Sequence, residues 1–257
     1  MQCQLTQPAT QPAQPHRSPS ALTLAVQKAT DQTEFRSPAH EAAVARADAL
    51  QARSEFARPA DHATIEATAA ALRDKGYDVH IANDAAAAKR IVMDLLPEGA
   101  EVGQGASQTL EAIGVTHELE ESGRYDADRL RTRAMDRSTP EGLREMRKLG
   151  VGPDWFVNSA HAITLDGTIV IASNTGSQLA PLAFGAGEVI FVVGSQKLVP
   201  DLETAMQRLE EHSLPLENAR MQGLYGIDSE IKKVLIIHRE FRPTRFRVVL
   251  VREPVGA

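Results

Sequence analysis

The sequence predicts an α/β domain built on a largely parallel β-sheet with helices on both faces. Three observations carry that expectation. From about residue 59 onward, segments with helical spacing alternate with short apolar runs, the order that sets parallel strands beside crossover helices. The runs Thr168–Ile171 (TIVI) and Val189–Val193 (VIFVV) are rich in β-branched residues, as strands buried on both faces are. Turns of Gly, Ser, Thr and Asn follow several runs, where a parallel sheet opens its ligand crevice. The arrangement they describe is Rossmann-like.

Met1 to about Thr30 has no acidic residue and is rich in Gln, Pro, Thr and Ala, so it reads as a disordered tail. Gln, Pro and Thr interrupt every apolar stretch there, so the apolar core of a secretory signal is missing. Arg17 and Lys28 are too few basic residues for a transit peptide. Asp31–Arg58, rich in Ala, Arg and Glu, reads as a helix that either docks on the body or stays mobile. The predicted division is therefore tail and docking helix over 1–58 and α/β domain over 59–257.

Asp61 is placed to cap a helix in which Ile65, Ala69 and Leu72 share a face until Gly76 stops it. Tyr77–Ala82 reads as a strand. Asn83 or Asp84 then caps a helix with an apolar stripe of Ile91, Val92 and Leu95, ended by Pro97 and Gly99. Ala100–Gly103 is the next strand. Glu118–Gly150 is more polar and reads as an insertion or a pair of surface helices, the clearest being Pro140–Leu149 behind Thr139. Pro153–Ser159 returns to strand character, and Asp201 caps a helix through His212. Val234–His238 and Phe246–Val251 are the last strands. Their short connection around Pro243 predicts an antiparallel C-terminal pair.

Composition removes several functional classes. A length of 257 residues holds one large domain or two small ones, and 42% hydrophobic with 24% charged residues is ordinary for a globular protein. Aromatics are only 4%, so Ala, Val, Ile and Leu must build the core. A net charge of −6 argues against a general nucleic-acid binder, which needs cations to neutralise phosphates. No apolar run approaches the ~20 residues of a membrane span. The one cysteine, Cys3, cannot make an internal disulfide, a multi-thiolate zinc site or an iron–sulfur site, which suits a reducing, cytoplasmic setting. His212, His238 and Glu240 have no metal-ligand spacing, so no metal is expected.

The segments that could carry chemistry are turns after strands. Gly103 and Gly105 let the backbone turn tightly, and Ser107 and Thr109 set hydroxyls near a helix start. That grouping suits a phosphate or a carboxylate, and equally an ordinary strand-to-helix turn. Asn174, Thr175 and Ser177 form a second turn of amide and hydroxyl groups, with the same two readings. His161, just beyond a strand, is an acid, a base, a hydrogen-bond donor or a purely structural group. Lys197 follows Val189–Val193 and Gly194, where it either neutralises an anionic ligand or is a solvated surface lysine.

Taken in order, these segments resemble the LUD (lactate-utilisation) domain family of the NagB/RpiA/CoA-transferase-like superfamily. The resemblance covers roughly 59–256. It rests on Ser107–Gly114 (SQTLEAIG), Ala160–Thr168 (AHAITLDGT) and Val193–Val199 (VGSQKLV). It implies a protein of lactate or related organic-acid utilisation that binds a small anionic metabolite or cofactor, the cofactor itself unassigned. Two alternatives stay open: a sugar-phosphate or acyl-CoA enzyme of the same superfamily, and a non-catalytic ligand-sensing subunit. Within that superfamily Gly103-x-Gly105-x-Ser107 looks like the phosphate-side loop of ribose-5-phosphate isomerases. Ser159-Ala160-His161 falls where those enzymes carry a Gly-Ala-Asp motif. His161 in place of the acid argues against carrying over isomerase chemistry, and the CoA-transferase glutamate has no counterpart. Cluster-binding cysteines are absent, so electron transfer would need an iron–sulfur or oxidoreductase partner subunit.

Overall fold

The computed structural model describes residues 52–257, so the predicted tail and most of Asp31–Arg58 lie outside the described residues. Ser54–Ala57 forms a single 3-10 turn that buries Phe56. Helix α1 (His62–Asp74) starts where Asp61 accepts from the Thr64 N–H at 2.7 Å, and buries Ile65, Ala69 and Leu72. Gly76 follows with φ +88°, a conformation open to glycine but strained for other residues. Strand β1 (Asp78–Ala82) leads to α2 (Ala85–Leu95), capped by Asp84, and then to β2 (Glu101–Gln104).

The polar stretch before β4 holds four short helices. They are α3 (Gln108–Ala112), α4 (Val115–Glu121), α5 (Asp128–Ala134) and α6 (Pro140–Leu149), with the two-residue β3 (Asp126–Ala127) between α4 and α5. Thr139 caps α6 by accepting from the Gly142 N–H at 3.1 Å. Then come β4 (Trp155–Asn158), β5 (Ala162–Thr164), β6 (Ile169–Ser173), β7 (Glu188–Gly194) and β8 (Leu198–Val199). The chain finishes with α7 (Leu202–Arg208), α8 (Leu214–Tyr225), β9 (Lys233–Ile237) and β10 (Phe246–Val251).

Six strands form a parallel sheet in the order β1-β10-β7-β4-β2-β3. Residues alternate between two cores, as the two-residue period of a strand requires. On β7, Val189, Phe191 and Val193 face one core while Ile190 and Val192 face the other; on β10, Phe246, Val248 and Leu250 oppose Val249 and Val251. Helix α1 covers the first face, and α2, α3 and α4 cover the second. A smaller mixed sheet, β8-β5-β6-β9, packs Ile163, Ile169, Ile171 and Ile237 into the first core. Its opposite side is closed by Phe56, Ala205 and Leu209.

Two expectations about the C-terminal third are corrected. β9 and β10 do not pair with each other. β9 runs antiparallel to β6 in the small sheet, while β10 is parallel to both β1 and β7 in the large one. The connecting loop carries the chain from one sheet to the other, with Thr244 at φ +64° and its N–H bonded to Gly76 O at 3.0 Å. The apolar run Phe246–Val251 needs cover on both faces, which only an interior strand of the large sheet provides. Nor does the helix that starts at Asp201 stop at His212. Pro215 has no N–H for the Glu211 carbonyl, and a π-helical segment, Leu209–Ser213, widens the turn so that α8 can continue. The Glu211 carbonyl is taken instead by the Arg53 N–H at 2.8 Å.

Candidate functional site

A cavity of about 310 Å³ opens at the carboxyl ends of β2, β4 and β7. Ser107 and Thr109 after β2, Asn158 to His161 after β4, and Lys197 after β7 contribute to its wall. Ser173 to Gln178, the turn after β6, forms one side, and Leu209, Ser213, Glu217 and Met221 overhang from the π segment and α8. Ser107 and Lys197, ninety positions apart, thus share one wall because parallel strands all end on the same edge.

Of the residues singled out from sequence, Ser107, Thr109, His161, Asn174, Thr175, Ser177 and Lys197 line this cavity. Gly103 and Gly105 do not. Gly103 is a packing glycine, where a Cβ would come within 2.8 Å of Phe156 and Pro153. A Cβ on Gly105 would stand 2.4 Å from Asn158 Oδ1, so this glycine lets the wall residue Asn158 approach the backbone. Ser107 caps α3, accepting from the Leu110 N–H at 3.3 Å. The Asn174–Ser177 turn is held by the Gly176 N–H on Ser173 Oγ at 2.8 Å and by Thr175 Oγ1 on Ser177 Oγ at 3.1 Å.

Lys197 is buried, at 3% exposure, and its ammonium nitrogen reaches Thr109 Oγ1 at 2.9 Å and Ser159 Oγ at 3.2 Å. Among the described residues no acidic side chain pairs with it. Burial, and then the charge of Arg208, hold its pKa well below that of an ordinary lysine. Arg208, from the end of α7, is fully buried behind the wall. One guanidinium nitrogen donates to His161 O at 2.6 Å and Ser213 Oγ at 2.9 Å, while its Nε and Nη2 have no partner among the described residues. Burial lowers its pKa to about 10, which leaves it charged at neutral pH.

His161 completes the group. Its Nδ1 accepts from the Ala172 N–H at 3.2 Å, which assigns the ring proton to Nε2. Among the described residues Nε2 has no hydrogen-bond partner. Burial, followed by the charges of Lys197 and Arg208, pulls the ring's pKa to about 3. It is therefore a neutral donor at physiological pH. His212, on the π segment, is pushed to about 4, chiefly by burial and then by Arg208, and its Nδ1 stands 3.0 Å from Arg53 O. Lys197, Arg208, His161 and His212 share one region with no acid between them among the described residues. The acids on the cavity margin are already paired, Glu217 with Arg220 at 2.7 Å and Glu230 with Lys232 at 3.2 Å.

An uncompensated buried cation costs several kcal/mol, so the charged and incompletely bonded Arg208 is the costly group of this arrangement. Arg208, Ser159 and Asn158 were not singled out from sequence. The last two sit at the carboxyl end of β4, a position the parallel-sheet rule itself marks. Nothing in a lone arginine on a helix distinguishes a buried one from a solvated one. His238 and Glu240 point to no shared metal: Glu240 pairs with Arg245 at 2.5 Å, and His238 Nδ1 stands 3.4 Å from Thr168 Oγ1. No group of three His, Cys, Asp or Glu among the described residues could hold a metal ion.

The model of the LUD domain matches residues 65–251, and the chain belongs to that family. The match spans the large sheet, the small sheet and every strand that ends at the cavity. A crystal structure of a DUF162 family protein from Deinococcus radiodurans is similar to this chain at 12% identity and a TM-score of 0.47, covering 75% of this chain and 99% of that one. No curated protein matches. No helix among the described residues is long and apolar enough to cross a membrane.

Proposed function

We propose that the protein binds a small carboxylate-bearing metabolite, of the lactate or related organic-acid class, in the cavity between β2, β4 and β7. The observation that carries this reading is the pair of buried basic groups, the charged Arg208 and the amine of Lys197, which no carboxylate pairs among the described residues. Lys197 meets the anion directly once protonated, because two of its N–H groups are held by Thr109 and Ser159 and the third is free. Arg208 acts through its field. His161 donates Nε2–H to an oxygen of the ligand, and Asn174, Thr175 and Ser177 offer further donors on the rim.

Size favours an organic acid over an acyl-CoA. At about 310 Å³ the cavity sits at the lower end of the ~300–1,000 Å³ typical of ligand sites. It suits a metabolite of a few heavy atoms better than a CoA thioester. Oxidising a hydroxy acid removes two electrons, and one cysteine cannot hold a cluster. That step would fall to an iron–sulfur or oxidoreductase partner subunit in the same reducing, cytoplasmic compartment.

A thermal-shift screen of organic acids, sugar phosphates and CoA esters tests the reading. A ligand at a hundred times its Kd stabilises the native state by about 2.7 kcal/mol. Lactate or a close relative should raise the melting temperature by several degrees. A response to sugar phosphates alone would contradict the proposal.

A further inference from the structure

We propose that Lys197 is a nucleophilic amine that forms a reversible imine with the carbonyl carbon of a 2-oxo acid held in this cavity. The inference rests on the reading of the cavity as a small-carboxylate site and names the substrate class and the covalent step.

The hydrogen bonds around the nitrogen set its chemistry. Thr109 Oγ1 donates its proton to Val255 O at 3.2 Å, and Ser159 Oγ donates to Ala160 O at 3.2 Å. With both hydroxyl protons committed to main-chain carbonyls, both oxygens can only accept from Lys197, at 2.9 and 3.2 Å. A neutral amine has two N–H groups, so these two bonds use both. The lone pair is left at the remaining tetrahedral position of the nitrogen of Lys197, a residue of the cavity wall. The surroundings favour that neutral form, because the nitrogen is buried, lacks a carboxylate and shares its region with Arg208. Desolvation and a neighbouring cation are the two means by which lysines are made nucleophilic. The other described lysines differ. Lys75, Lys89, Lys148 and Lys232 each pair with a carboxylate, and Lys233 with a main-chain carbonyl.

The charges divide the work. Arg208 stays cationic behind the wall and attracts the carboxylate of the 2-oxo acid whether or not Lys197 is charged. His161, neutral with its proton on Nε2, is a donor for the adjacent carbonyl oxygen. The lone pair of Lys197 forms the C–N bond as the carbonyl π pair moves onto oxygen. Both amine protons then leave with that oxygen as one water, and a C=N bond remains. No oxidant or reductant is consumed. A 2-hydroxy acid such as lactate binds the same site but has no carbonyl to capture.

The test uses the full chain with pyruvate and sodium cyanoborohydride at neutral pH, read by intact mass and peptide mapping, beside calorimetric titrations of pyruvate and lactate. An ordinary lysine is free amine to only about one part in 10³ at pH 7. Lys197 should therefore take up one 1-carboxyethyl group at least about tenfold faster than any other lysine, and excess lactate should slow it. Lys197→Met should lose this adduct while surface labelling persists; if that variant does not fold, the peptide map of the unaltered chain decides. Labelling spread over surface lysines, or none at all, overturns the proposal. Pyruvate binding without an adduct would sink the imine alone, whereas failure of both acids to bind would sink the carboxylate reading with it.

Discussion

Replacing Lys197 by Met separates a ligand-binding lysine from a structural one. The substitution keeps an unbranched chain of similar volume in a site where the nitrogen makes two hydrogen bonds and no ion pair. Losing them costs about 0.5–1.5 kcal/mol each. Against that loss stands the relief of placing an amine in a dry site, a penalty visible in its lowered pKa. Thr109 and Ser159 keep the main-chain acceptors for their own protons, so no donor is stranded. The two effects oppose each other, and the unfolding free energy from urea melts should change by no more than about 1 kcal/mol. Anion binding should fare very differently. With lactate, beside whose carboxylate the amine takes up its proton, one charge-assisted hydrogen bond is worth about 1.5–3 kcal/mol, so calorimetry should show a roughly ten- to hundredfold weaker Kd for that acid. A destabilisation of several kcal/mol with an unchanged Kd for the folded fraction would refute the reasoning and make Lys197 a scaffold residue.

The remaining predictions concern titration, packing and the tail. His161 and His212 are held at about 3 and about 4 when folded, while an unfolded histidine protonates near 6.5. The unfolded chain therefore binds more protons below pH 6.5, and stability should fall as pH drops from there toward about 4. Urea melts between pH 7 and 5.5 should show that fall, and His161→Gln should flatten part of it; a rise in stability on acidification would contradict the burial of the two rings. Gly105→Ala forces a Cβ to within 2.4 Å of Asn158 Oδ1, so it should destabilise by about 1–3 kcal/mol and weaken anion binding through a displaced wall. Full stability and affinity in that variant would remove Asn158 from the site. Deleting residues 1–30, which lack a periodic apolar face, should leave the melting temperature within about 2 °C of the full chain. A loss of several degrees would show that the segment packs on the domain.

Local chemistry was legible wherever one residue decides the outcome. Asp61, Asp84, Thr139 and Asp201 cap the helices they were expected to cap, because a carboxylate or hydroxyl one position before a helix has few other uses. The runs at 168–171 and 189–193 became β6 and β7 because continuous β-branched sequence needs cover on both faces. Strand partners were less legible. A short loop around Pro243 looks the same whether it closes a hairpin or passes between sheets, and only the apolar length of Phe246–Val251 hinted at an interior strand. The continuation of the helix past His212 was not legible, because a helix absorbs a proline such as Pro215 through a π turn only when another group takes the freed carbonyl, and here that group is Arg53, far away in sequence. The cavity shows the same limit. Strand-end positions brought Ser107, His161 and Lys197 under consideration, yet the unpaired guanidinium of Arg208 depends on three-dimensional packing that no spacing encodes.

The central claim is that the buried guanidinium of Arg208 and the buried amine of Lys197 make this cavity a site for a small organic anion, and a crystal structure with pyruvate or lactate tests it most directly. The account predicts ligand density in the cavity, with an oxygen within about 3 Å of Lys197 or a continuous bond from its nitrogen, and His161 Nε2 facing a second oxygen. Density at any other place on the chain, with the Lys197–His161 wall untouched at saturating ligand, would contradict it.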